Sequence, residues 1–293
     1  MSFDNVINEI KSFIDENDKE KSSHWRKLLS NRKVLNDIKE NYGFGQYKEF
    51  NRFSDIYHKL MQNFVFGKDL KKIEEYKLIK NYYRKFNRQL ESDVIRHIYT
   101  FNLLNKYKVL KNNVAIIGDG KANFILGSKI INPSLKLFSI NLPEILINDL
   151  LILIKSNLFM SEEICVVKNN TDLDKKSVKL FLIPANKSNL LRSKKIDLFV
   201  NLASFQEMNY EQINNYFDII KSNKSYLYNC NREEKILPDG KKIKYNNYPF
   251  EDAEILFKEE CEWHKKIYLT NYPFVKKYDG NHLHSLCKFN LKK

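Results

Sequence analysis

The sequence predicts an α/β protein: a mostly parallel sheet with an antiparallel C-terminal strand, preceded by a helical N-terminal region. Three observations lead there. From residue 113 onward, short apolar runs rich in β-branched residues alternate with helical spacings, as Asn113 to Ile117 is followed by Phe124, Ile125, Ile130 and Ile131. Repeated β-then-α units imply parallel strands joined by crossovers. Residues 1–110 carry helical spacings and no strong strand signal.

In chain order, Val6, Ile7, Ile10, Phe13 and Ile14 share one helical face, as do Leu28 and Leu29 with Val34, Leu35 and Ile38. Phe53, Ile56, Tyr57, Leu60 and Met61 continue the pattern, and 76–86 is an aromatic-rich segment. Val94, Ile95, Ile98, Phe101 and Leu104 mark a helix leading to the first strand. Residues 1–110 are therefore expected to form a cap on the substrate side, and 111–293 the sheet domain. After strand 113–117 comes Gly118-Asp119-Gly120, then a helix closed by Asn132-Pro133. Further strands are expected at 135–140, 179–183, 196–202 and 225–229. Pro143 suits the first turn of the helix after the second strand, and Glu144 the positive end of its dipole. Asn209 and Gln212 have capping-box spacing. Leu237-Pro238-Asp239-Gly240 is a turn, because Pro sets φ and Gly supplies positive φ. The runs 254–257 and 284–289 are expected to close the sheet as antiparallel strands.

The composition, 43% hydrophobic and 13% aromatic, provides for a substantial core. A formal net charge of +14 attracts anions such as nucleic acid, headgroups or phosphorylated substrates. The Lys residues are spread rather than clustered and no aromatic-basic RNA motif stands out, so nucleic acid is disfavoured as a partner. Residues 145–154, the most apolar segment, contain Asn148 and Asp149 and fall short of the ~20 residues of a membrane span. Asp4, Glu9, Asp15 and Glu16 replace the apolar region of a secretory leader. Cys165, Cys230, Cys261 and Cys287 show no C-x-x-C spacing and read as reduced thiols, so a cytoplasmic protein is expected.

Open α/β sheets bind ligands beyond the carboxyl ends of their strands. Those positions are Gly118, Asp119 and Gly120; Asn141 and Leu142; Ala185 and Asn186; and Asn201, Ala203 and Ser204, the candidate cofactor contacts. Glycine suits a turn where a ligand lies against backbone. A dinucleotide fingerprint would need a third glycine where Asn123 stands, which disfavours NAD. Gly118-x-Gly120-x-Ala122 instead resembles the first motif of Rossmann-like S-adenosylmethionine (SAM) methyltransferases.

The run from Asp197 through Ser204-Phe205-Gln206-Glu207-Met208, with Tyr228-Asn229-Cys230-Asn231-Arg232-Glu233-Glu234, resembles the sugar O-methyltransferase family of bacterial surface-polysaccharide synthesis. Arg96-His97-Ile98-Tyr99 and Leu142-Pro143-Glu144 resemble it too, so the likeness spans about residues 90–290. The resemblance implies SAM as cofactor and a sugar hydroxyl as acceptor, on a nucleotide sugar or a glycan such as capsular polysaccharide. Asn141 departs from the Asp more usual before Leu-Pro-Glu. An alcohol is a poor nucleophile, so a general base is expected. Glu207 is the first choice, because desolvation at a sheet edge strengthens a carboxylate as a base. His264 is the rival. Gln206, Asn231 and Arg232 are candidate substrate contacts, Arg232 through bidentate binding of phosphate or carboxylate. His282 and His284 share a strand face, yet no H-E-x-x-H, cysteine pair or acidic cluster supports a metal, and none is expected. The alternatives are an RNA methyltransferase and a non-catalytic nucleotide-binding protein of the same fold.

Overall fold

A computed structural model describes residues 2–30 and 49–290. The helical spacing at Val34, Leu35 and Ile38 lies outside them. Five helices come first: α1 (Phe3–Lys11), α2 (Ser23–Leu29), α3 (Arg52–Phe66), α4 (Glu74–Lys85) and α5 (Ser92–Lys106). Then follow β1 (Asn113–Ile117), α6 (Asn123–Ile131), β2 (Lys136–Asn141), α7 (Pro143–Ser156), β3 (Ile164–Val166), β4 (Leu180–Pro184), β5 (Leu198–Leu202), α8 (Tyr210–Asn223) and β6 (Tyr226–Arg232). The C-terminal part adds β7 (Glu234–Ile236), β8 (Lys242–Lys244), β9 (Ala253–Glu260), β10 (Lys266–Tyr268), β11 (Val275–Lys277) and β12 (His282–Phe289).

Eight strands form one sheet in the order β3-β4-β2-β1-β5-β6-β12-β9. The strands from β3 to β6 pair in parallel, and β12 runs antiparallel to both β6 and β9. Strand order reverses between β1 and β5, the switch point where the turns after neighbouring strands part and leave a crevice. The fold class is thus the one the sequence predicts.

Burial on both faces explains the apolar runs. Along β1, Val114 and Ile116 enter one core with Ile79, Phe101, Phe124 and Leu150. Ala115 and Ile117 enter the other with Phe138, Phe181, Phe205 and Phe217. Side chains of this size each stabilise the fold by about 1.5–3 kcal/mol when fully buried. The first core also takes Val6 and Ile10 of α1, which packs on α7 and the edge strand β3, while α4 and α5 pack on α6. There α5 approaches α6 so closely that a Cβ on Gly127 would lie 2.3 Å from Phe101 Cε2. Lys21 reaches α7 through an ion pair with Glu144 at 2.8 Å, which fixes the segment leading to α2.

Some elements were not expected. The edge strand β3 and the hairpin pairs β7–β8 and β10–β11 are three residues per strand, too short for a period to register. Strand β6 continues to Arg232 because β12 pairs with it as far as His282 opposite Arg232. The turn at 237–240 closes the β7–β8 hairpin, with Gly240 at φ +83°. Among the described residues no helix is long and apolar enough to cross a membrane.

Candidate active site

The turn after β1 is fixed by backbone conformation and by α7 behind it. Gly118 and Gly120 have φ of +78° and +71°, where a Cβ is costly. They serve different ends. A Cβ on Gly118 would fall 2.1 Å from Ser204 Oγ, so this glycine lets the turns after β1 and β5 touch. A Cβ on Gly120 would meet nothing within 4 Å: here bare backbone faces open space. The Asp119 carboxylate accepts from the Phe124 and Ile125 N–H groups at 3.1 and 2.9 Å, capping α6 at its positive end. From α7, Asp149 accepts from the Ala122 N–H at 2.8 Å, and Asn148 donates to the Gly120 carbonyl at 2.9 Å. Asn123, standing where a dinucleotide fingerprint has glycine, accepts from Arg88 Nη2 at 2.6 Å and ties α6 to the N-terminal helices.

A cavity of about 380 Å³ opens at this switch point. The sheet side contributes residues 118–121, Asn141, Ala203, Ser204 and Glu207. His24 and Trp25 enter from α2, Asp93, Arg96 and His97 from α5, and His264 and Tyr278 from the C-terminal part. Glu207 Oε1 pairs with Lys235 Nζ at 2.9 Å and lies 3.5 Å from His24 Nε2. The turn carrying Glu207 is held by buried amides. Asn201 donates to the Ile117 carbonyl at 3.0 Å and accepts from the Phe205 N–H at 3.1 Å. Asn231 donates to Asn201 Oδ1 at 2.8 Å and accepts from the Gln206 N–H at 3.1 Å. Gln206 accepts from the Arg232 N–H at 2.7 Å.

The charge pattern follows from depth and neighbours. Burial pushes the Asp119 carboxyl up to about 6, against the backbone N–H bonds it accepts. Burial, and then Asp119 itself, raise Asp149 well above the ordinary range. Burial alone would also raise Asp93, but Lys121 and Arg96 outweigh it and hold this acid well below. His97 is pushed down to about 4, burial outweighing the pull of Asp93. Burial likewise lowers His24, against the pull of Glu207, and takes His264 well below its ordinary value. At neutral pH the cavity thus presents uncharged imidazoles beside the ionised carboxylates of Asp93 and Asp119.

His97 gives this pattern a measurable consequence. A histidine whose folded value is depressed contributes stability above its unfolded value near 6.5, and that stability is lost as pH falls through about 4. Its size is at most about 3 kcal/mol, less where cavity water screens the ring. Asp119 and Asp149 have the opposite sign and soften the fall. Chemical denaturation between pH 7 and 4 should therefore show His97→Gln gaining stability relative to wild type as pH falls, whatever the sign of the whole curve; a variant curve parallel to wild type contradicts the assignment.

Of the cofactor contacts expected from sequence, Gly118, Asp119, Gly120, Asn141, Ala203 and Ser204 line the cavity, as do Glu207 and His264. Leu142 and Ala185 line a small adjoining pocket with Asn141, Ser204 and Trp25. Asn186 is engaged with Asn17, whose Oδ1 accepts its N–H at 2.9 Å. Asn201, Gln206 and Asn231 belong to the amide network behind the wall, and the Arg232 guanidinium pairs with Asp279 at 3.0 Å. The sequence reading did not single out His24, Trp25, Asp93 or Lys121. His24 sits in a helix far from any strand end, with no motif to mark it, whereas Asp93 stands three residues before Arg96, which the family resemblance had touched.

No family model and no curated protein matches the chain. Among solved structures, the plantazolicin methyltransferase BamL, in complex with a triazolic desmethylPZN analog and SAH, is similar over 81% of this chain and 99% of its own, at 13% identity and TM-score 0.42. The mitomycin 7-O-methyltransferase MmcR is similar over 88% of this chain and 74% of its own, at 7% identity and TM-score 0.38. MtNAS in complex with MTA and tNA is similar over 99% of this chain and 97% of its own, at 8% identity and TM-score 0.40. At these values the similarity is one of chain path and supplies no correspondence of site residues.

Proposed function

We propose that this chain is a SAM-dependent O-methyltransferase that methylates a sugar hydroxyl, on a nucleotide-linked sugar or a surface glycan such as a capsular polysaccharide. The observation that carries the proposal is the meeting of two turns at the switch point, with bare backbone at Gly120 and the Glu207 carboxylate on the walls of one cavity. That cradle fits the cofactor. The volume falls in the usual range for small-molecule sites, Gly120 lines it with bare backbone and open space where a Cβ would stand, and Asp119 offers a carboxylate to a cation. Residues 118–120, Asn141, Ala203 and Ser204 are the groups to hold it, Asn141 with an amide in place of a second charge. When bound, the cofactor would supply a sulfonium methyl for in-line transfer to a hydroxyl oxygen, the oxygen–carbon bond forming as the carbon–sulfur bond breaks, with a neutral thioether as leaving group and the hydroxyl proton released.

Glu207 is the proposed acceptor of that proton. Its Oε1 faces both Lys235 and His24, which leaves Oε2 for the hydroxyl. Neutral His24, beside the carboxylate, offers the proton a way out. His264 remains a second candidate base on the wall. Trp25 and Tyr278 bring aromatic rings to a wall shared with Asp93, Arg96 and Glu207, and the Arg96 guanidinium lies over the Tyr278 ring at 4.4 Å. A sugar, with apolar ring faces and a rim of hydroxyls, matches that mixture. Residues 1–110 act as the cap on the substrate side and 111–293 as the cofactor-binding part, since α2 and α5 supply cavity wall.

The test is to measure S-adenosylhomocysteine formation from SAM with nucleotide sugars, oligosaccharides and RNA as acceptors. Turnover that requires a sugar is expected. Turnover with RNA alone, or SAM binding without turnover on any acceptor, would replace the proposal with one of its alternatives.

A further inference from the structure

We infer that Cys230, Cys261 and His264 form a three-ligand site for Zn2+ in the wall of the cavity. The two cysteines stand 31 positions apart, so no paired spacing marks them. The sheet brings them together: Cys230 lies in β6, Cys261 follows β9, and β12 pairs with both strands. The Cys261 N–H donates to the His282 carbonyl at 2.8 Å, which anchors the turn. In Cys261-Glu262-Trp263-His264 the chain makes one 3-10 turn, and residues i and i+3 of such a turn lie on one side.

The donor geometry is that of a metal set. The three donor atoms lie within 4.8 Å of one another, all in buried residues. His264 Nδ1 is 3.2 Å from Cys261 Sγ and 3.7 Å from Cys230 Sγ. With Zn–S near 2.3 Å and Zn–N near 2.0 Å, a tetrahedral ion spaces its sulfur and nitrogen donors about 3.5 Å apart. The two observed distances bracket that value.

One further observation points to a cation. The His282 ring stacks on His264 at 4.7 Å between centroids. His282 Nδ1 lies 3.1 Å from the Gly280 carbonyl, to which it donates, and Nε2 is then a buried acceptor with no partner. A water on the fourth position of the ion is a donor of the kind that nitrogen lacks. Two thiolates balance a divalent charge, and an S₂N set favours Zn2+ over Mg2+ or Ca2+. Three protein ligands leave one position open, and His264 lines the same cavity as Glu207.

Cobalt provides the test. Reduced, metal-free, full-length protein is titrated with Co2+ and then with Zn2+, without any methyl donor. One equivalent of Co2+ should give a thiolate-to-cobalt charge-transfer band and the strong d–d bands of a tetrahedral site, and Zn2+ should displace both. Cys230→Ser and Cys261→Ser should each lose the charge-transfer intensity in part or whole, while Cys165→Ser keeps it. Folded wild-type protein with no such band overturns the inference, and so does a band that both Cys230→Ser and Cys261→Ser leave unchanged. The wild-type titration stands even where a variant fails to fold. Because no methyl donor is present, failure here leaves the proposed methyl transfer untouched.

Discussion

Glu207→Gln should lower kcat for methyl transfer by roughly 10²–10⁴-fold, the usual contribution of a positioned general base. SAM affinity should stay within about threefold of wild type, because glutamine keeps the shape of the side chain and an oxygen for Lys235. What it loses is the capacity to take a proton. Steady-state kinetics on the responsive acceptor, with calorimetry for the cofactor, separates the two effects. A variant that turns over at the wild-type rate removes Glu207 as base, and attention passes to His264 and His24. A fall in cofactor affinity matching the fall in rate would instead make Glu207 a brace for the turn, since its carbonyl also accepts from Ser22 Oγ.

Gly118→Ala should have the largest effect on cofactor binding. Two costs add at this position. Positive φ, here +78°, costs a residue with a Cβ about 1–2 kcal/mol. Overpacking a tight contact costs about 1–3 kcal/mol more, and the new Cβ would fall 2.1 Å from Ser204 Oγ and 2.5 Å from Ser204 Cβ. The turns after β1 and β5 must then move apart, so a ligand held by both loses its fit. A drop in stability of about 2–5 kcal/mol and at least a tenfold loss of SAM affinity are expected. Adding Ser204→Gly should recover the steric share and leave the φ share, which a double-mutant cycle resolves. Gly118→Ala with unaltered affinity would mean that the ligand does not sit between these turns.

The sheet was legible because its central strands are buried on both faces and read as apolar runs between helical spacings, as at 113–117. The three-residue strands were not, since neither a period nor a propensity accumulates over so short a span. The glycine turn was legible for a backbone reason, but the sequence could not say that Gly118 makes room for Ser204 while Gly120 faces open space. At Asn201, Gln206 and Asn231 the strand-end position was readable. Which way each side chain turns depends on partners far away in sequence, and here the three amides bind one another and the backbone behind the wall. His24 entered the site through packing that ties its segment to α7 and to the Glu207 turn. The meeting of Cys230 with Cys261 depends on β12 pairing between their strands, a long-range event that local spacing does not encode.

The proposed methyl transfer requires that the adenosyl cofactor lie on the backbone at Gly118 and Gly120. Calorimetric titration of the full chain with SAM, S-adenosylhomocysteine, NAD and ATP tests it most directly. SAM and S-adenosylhomocysteine should each bind one to one, with NAD and ATP giving no comparable heat. Preferential binding of NAD or ATP, or no binding of either adenosyl sulfur compound by folded protein, would contradict it.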